Sequence, residues 1–183
     1  MSDEILVRQC APTLAGLKTG NIFPCRFKSH AEQTETLKRW NCMLKNKGLR
    51  ALPLKSDNER SLIYVYRPER LNEDLKNEKA AGLLAGCGYS AKTGSACVAC
   101  LRSRMMHSGS FPHEVGLFIG YPPEDVIGFI ENRAAKSKCV GCWKVYGDVE
   151  KAEAAFRKFK KCTGIYCRKF AEGTGIEKLA VNI

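Results

Sequence analysis

Apolar residues recur at helical spacing over residues 30–47. Leu37, Trp40, Met43 and Leu44 fall on one face, and Gly48 stands where a left-handed C-cap belongs. Before this helix, residues 2–9 predict a short helix ending near Pro12. The stretch from Thr13 to Phe27 is interrupted by Gly16, Gly20 and Pro24 and predicts strand and loop. After it, Leu49–Leu54 and Ser61–Tyr66 are rich in β-formers and flank a polar turn at 56–60, the pattern of a hairpin. Pro68 opens a helix reaching Leu84, residues 86–94 form a glycine-rich turn, and Ser95–Met106 is helical again. Residues 107–113 read as loop, and the apolar run Val115–Ile119 as a buried strand. Pro122 and Pro123 start a helix to Asn132, with Glu124 and Asp125 in its first turn, where carboxylates oppose the helix dipole. A loop at 136–141 and a short strand at Trp143–Tyr146 follow. Asp148 then caps a final basic helix that runs to Cys162 or beyond.

This order predicts an α/β protein, an α+β sandwich around a mixed β-sheet. Its first part follows the split βαβ order of ferredoxin-like folds (βαββαβ), with a further βα unit at the C-terminal end. A doubly wound sheet is the competing topology. No repeat or low-complexity linker divides the 183 residues, so residues 1–183 are expected to form a single domain.

Composition adds a compartment and a charge. The start, MSDEILVRQC, carries two acids and no apolar run, which predicts no secretory signal, and no stretch is long enough for a membrane span. A cytoplasmic protein is expected. There the ten cysteines are thiols or metal ligands rather than a disulfide framework. The net charge of +11 is concentrated: residues 133–169 hold eleven Lys and Arg against three acids. Lys151, Arg157, Lys158, Lys160, Lys161, Arg168 and Lys169 make the last helix a candidate surface for nucleic acid or another acidic partner, although no recognition motif accompanies them.

Four cysteines form Cys-x-x-Cys pairs, Cys97/Cys100 and Cys139/Cys142, and Cys162/Cys167 is a looser third pair. Two such pairs supply the four thiolates of a zinc or iron–sulfur site. The 38 residues between Cys100 and Cys139 exceed the roughly 15–20 of a zinc ribbon, so Cys139, Cys142, Cys162 and Cys167 form the better candidate metal set. Cys97 and Cys100 lie near a helix start, where a thiol pKa falls, but without the preceding strand of a thioredoxin-like motif. Lys18 in AGLKTGN lacks the contiguous Gly-Lys-Ser/Thr of a Walker motif, yet remains a candidate anion contact. Phe111, Phe118, Tyr121, Phe129, Trp143 and Tyr146 are either core or the wall of a ligand pocket. Tyr121 and Tyr146, each beside Gly or Pro, are the best candidates to touch a ligand.

Four stretches carry a family resemblance: Cys10–Phe23, Phe111–Ile130, Trp143–Asp148 and Cys162–Cys167. They resemble the uncharacterised bacterial, clostridia-type domain-of-unknown-function family 3793. The resemblance spans most of the chain. It implies a single-domain cytosolic bacterial protein and brings no activity with it. Within the family-like stretches, Cys10 is a candidate nucleophile, His113 its base, and Glu114 or Asp148 the group that orients the imidazole, as in thiol hydrolases. The expected function is therefore a small-molecule or thiol-dependent site around Cys10 and His113. Metal binding and polyanion binding are the alternatives.

Overall fold

The computed structural model describes residues 3–57, 60–90, 93–107 and 111–183. Parts of the turns expected at 56–60 and 86–94 and of the loop at 107–113, together with Ser2 of the first helix, lie outside the described residues. The protein is a mixed α and β structure with small antiparallel sheets. It divides into two compact units. The first comprises the chain up to Glu69 together with Lys161–Ile183, and the second is Arg70–Lys160. Among the described residues no helix is long and apolar enough to cross a membrane.

In the first unit, α1 (Asp3–Leu14) leads to β1 (Gly20–Arg26), α2 (His30–Leu44), β2 (Arg50–Ser56) and β3 (Arg60–Tyr66). β3 is central and antiparallel to both neighbours, giving the order β1-β3-β2. The chain order strand, helix, strand, strand matches the expectation for this part. The fourth strand of a ferredoxin-like sheet is not present among the described strands, and every pairing is antiparallel, so the expected mixed sheet is corrected to an antiparallel one. The two edge strands carry Pro24 and Pro53, residues that cannot donate to a ladder and so suit edges. Beyond Pro53 the β2 register shifts by one residue.

The core of this unit joins Phe23 and Cys25 of β1, Ile63 and Val65 of β3, Leu6, Cys10 and Leu14 of α1, and Trp40 and Leu44 of α2. Ser29 caps α2, accepting a hydrogen bond from the Glu32 amide (3.2 Å), and Gly48 takes the left-handed conformation after it (φ 67°). α1 runs through Pro12 rather than stopping there. Proline in the last turn forfeits only one intrahelical bond, and its ring is buried. Arg67 is the principal tie. It is 2% exposed, and its guanidinium donates to the carbonyls of Thr13, Leu14, Lys47 and Val181, each at 2.9 Å.

The helix expected from Pro68 to Leu84 is two helices, α3 (Pro68–Asp74) and α4 (Glu78–Gly86). Asn77 breaks the run by capping α4, accepting from the amides of Lys79 and Ala80. The second unit continues with α5 (Gly94–His107), α6 (Val115–Phe118), α7 (Pro123–Glu131) and the two-residue strands β4 (Cys139–Val140) and β5 (Lys144–Val145). The strand predicted at 115–119 is α6, a single helical turn. All four of its residues are buried, so its apolar run reflects burial on every side and not strand alternation. Gly116 makes this turn fit: a Cβ there would meet the Val126 side chain of α7 at 2.8 Å. α8 (Val149–Ala171) starts after Asp148, whose carboxylate accepts from the Lys151 amide at 3.0 Å, and α9 (Ile176–Leu179) follows. The residues of α8 up to Lys160 belong to the second unit and the remainder to the first.

Candidate functional site

The second unit encloses a cavity of about 350 Å³. Its walls come from the segment leading into α6, from α7, and from the β4–β5 hairpin. Four aromatic rings, Phe111, Tyr121, Phe129 and Trp143, face it together with Val115, Ile119, Val126 and Val140. Phe111 and Val140 are 54% and 70% exposed, so the apolar lining continues to the surface.

One buried carboxylate sets this wall. Asp125, 3% exposed in the first turn of α7, accepts three hydrogen bonds of 2.7 Å, from Trp143 Nε1 and from the Tyr146 and Gly147 amides. Its sequence position suggested only a dipole effect, and no local signal marks it as a hub. The bonds fix Trp143 against Tyr121 (ring centroids 4.8 Å apart) and edge-on to Phe156 (4.5 Å). The Tyr121 hydroxyl donates to the Cys142 carbonyl (3.0 Å). Burial, with a smaller contribution from the Cys142 charge, pushes its phenol up to about 12. Lys144, missed from sequence, also lines the cavity, and its Nζ donates to the Ala134 carbonyl (2.6 Å). That carbonyl lies in a loop where Arg133, Ala134 and Lys136 all have positive φ, a conformation costly for residues with a side chain.

His113 stands on the cavity wall, exposed, with its ring edge-on to Phe129 at 5.2 Å. Its ring nitrogens make no hydrogen bond among the described residues. Glu114 points elsewhere: its Oε1 accepts from Tyr89 (3.0 Å) and from Arg104 Nε (2.9 Å), and Arg104 also holds the Cys87 carbonyl. Glu114 is thus committed to a buried structural pair. Tyr146, by contrast, is not part of the wall. Its ring lies over Gly128, where a Cβ would meet Tyr146 Cβ at 2.5 Å, and its buried hydroxyl has no hydrogen-bond partner among the described residues.

The remaining sequence candidates lie in the first unit. Cys10 is fully buried in the core, and burial raises its thiol pKa strongly, with the Lys18 charge offsetting part of the rise. A thiol so placed is held protonated, the opposite of an activated nucleophile. Lys18 is itself buried and donates to Asn21 Oδ1 (2.8 Å), while Asn21 Nδ2 reaches the Gln9 carbonyl (2.6 Å). Cys10 and Lys18 are therefore neighbours in one unit, and His113 and Glu114 belong to the other. Among the described residues no three His, Cys, Asp or Glu side chains gather into a group that could hold a metal ion. Of the set Cys139, Cys142, Cys162 and Cys167, the first two sit on the hairpin in the second unit, while the last two are a turn and a half apart on the part of α8 that belongs to the first, with Cys162 buried. Cys97 is buried within α5, and burial raises its pKa too. The seven basic residues of α8 are all exposed.

Residues 6–180 match the family described as "Protein of unknown function (DUF3793)", and the chain belongs to that family. No curated protein and no solved structure matches the chain.

Proposed function

We propose that this member of the DUF3793 family binds a small, flat, largely apolar molecule in the cavity of its second unit. The observation that carries the reading is the wall itself: four aromatic rings around about 350 Å³, with one buried carboxylate spent on holding Trp143 in place. Ligand sites commonly occupy about 300–1,000 Å³, with mostly apolar walls and a few polar groups that set orientation. This cavity lies at the small end, the size for one or two fused rings. His113 is a polar group at the wall that is available to orient them. The thiol part of the expectation finds no support, because Cys10 is buried and its pKa raised.

The chain has two tryptophans, Trp40 in the first core and Trp143 on the cavity wall, so an NMR titration separates them. Quinoline should shift the Trp143 indole N–H resonance saturably and leave that of Trp40 in place. Ile119→Trp, which fills the cavity, should remove the shift. No saturable change of Trp143 at millimolar quinoline defeats the proposal.

The exposure of the basic side chains of α8 supports a second reading, contact with a polyanion such as nucleic acid. Its test is oligonucleotide binding as a function of salt. Affinity that does not fall as salt rises rejects it.

A further inference from the structure

The cavity's polar groups are unevenly balanced. Its one carboxylate, Asp125, already accepts from three N–H donors, two on Oδ1 and one on Oδ2. The Tyr121 hydroxyl is engaged with a carbonyl. Lys144 uses one N–H on Ala134, and an ammonium carries three. His113 brings two ring nitrogens, at least one of which donates. The inner wall thus offers N–H donors from Lys144 and His113, while its carboxylate is already engaged by three donors. The loop and hairpin on one side of the cavity are basic: residues 132–144 contain Arg133, Lys136, Lys138 and Lys144 and no acid, and the first three are exposed, whereas α7 on the other wall carries Glu124 and Glu131. Basic groups there draw anions toward that side of the mouth.

Resting on the binding reading above, we infer that the natural ligand is an aromatic carboxylate. Its ring lies against Trp143 and Phe129, and its carboxylate accepts from Lys144 and His113. A charge-assisted bond to a half-buried ammonium is stronger than the same bond to a neutral acceptor, so charge decides selectivity and the rings supply the common affinity.

The pair 2-naphthoate and 2-naphthamide tests this, since the two share shape and differ in charge. Calorimetric titration at pH 7 should give naphthoate an affinity about tenfold higher, the order expected for one charge-assisted bond. The ratio should shrink as sodium chloride is raised. It should fall to about one in Lys144→Met and return in Lys144→Arg, with the Trp143 indole resonance confirming that the wall is intact. Equal or better binding of the amide overturns the inference and leaves the binding proposal standing. A preference unchanged in Lys144→Met overturns the role of Lys144, and with it the inference. Failure of both compounds to bind overturns the binding proposal itself.

Discussion

Each unit is organised by one buried polar side chain, and the two work in opposite senses. In the first, Arg67 collects backbone carbonyls from three separate segments of chain, the end of α1, the turn before β2 and the C-terminal residues. In the second, Asp125 collects N–H groups from the β4–β5 hairpin and the residues after it. Arg67 adjoins a core closed by Trp40, Phe23 and Leu44. Asp125 holds Trp143 at the edge of open space. A buried charge surrounded by several partners therefore does not by itself mark a site. The difference is whether its partners close on packed side chains or hold a wall away from them.

The sharpest way to break the comparison is at Arg67. Arg67→Met removes this donor from four carbonyls, of which Thr13 and Leu14 keep a backbone N–H partner, and each buried group left unpaired costs about 1–3 kcal/mol. We expect a loss of about 4 kcal/mol or more, read as a lower urea midpoint from Trp40 fluorescence in a Trp143→Phe background. A loss below about 1 kcal/mol would mean that water replaces the guanidinium and that the tie is incidental.

Asp125→Asn probes the second unit. The amide keeps the shape but turns an NH2 toward one of three donors. The expected cost is about 3 kcal/mol, since hydrogen bonds to a charged group are worth about 1.5–3 kcal/mol. Trp143 should lose its fixed indole N–H resonance, and quinoline binding should go with it. A variant that retains both would show that the aromatic packing against Tyr121 and Phe156 positions Trp143 unaided.

Legibility in the sequence followed the same division. The first unit could be read almost element by element, because α2 has a helical stripe closed by a glycine cap and β2 and β3 flank a polar turn. These are local signals. In the second unit the run VGLFI was ambiguous, since an apolar segment buried on all sides loses the alternation that distinguishes strand from helix. Four of the six aromatics singled out line the cavity. Asp125 and Lys144 could not be identified beforehand, because their partners lie 10 to 22 residues away. The cysteine pairs are a signal of the opposite kind. Their spacing is a local pattern, and the fold does not assemble them into a metal-binding group among the described residues.

Alkaline pH sharpens the comparison from another side. The Tyr121 phenol is raised to about 12 by burial, whereas in the unfolded chain it ionises near 10. Below pH 10 both states keep the proton and the full stability is present. Between 10 and 12 only the unfolded state releases it, so stability falls as pH rises, by on the order of 2 kcal/mol. Other buried tyrosines add to the slope, so the measurement is a difference: urea midpoints of the wild type and of Tyr121→Phe from pH 9 to 12. The variant should lose less across that window. Parallel curves would place the Tyr121 ring in water, away from the cavity wall.

The smallest expected effect separates packing from ligand contact. Tyr146 follows β5 and sits over Gly128, and its buried hydroxyl has no hydrogen-bond partner among the described residues. Burying an unpaired hydroxyl costs free energy, so Tyr146→Phe should leave stability unchanged or raise it by up to about 1 kcal/mol. Because the residue is not part of the cavity wall, naphthoate affinity should stay within about twofold, under 0.5 kcal/mol. If instead the variant binds naphthoate tenfold more weakly, the hydroxyl reaches the ligand. The cavity then extends past Gly128, and the site includes both tyrosines that the sequence pointed to.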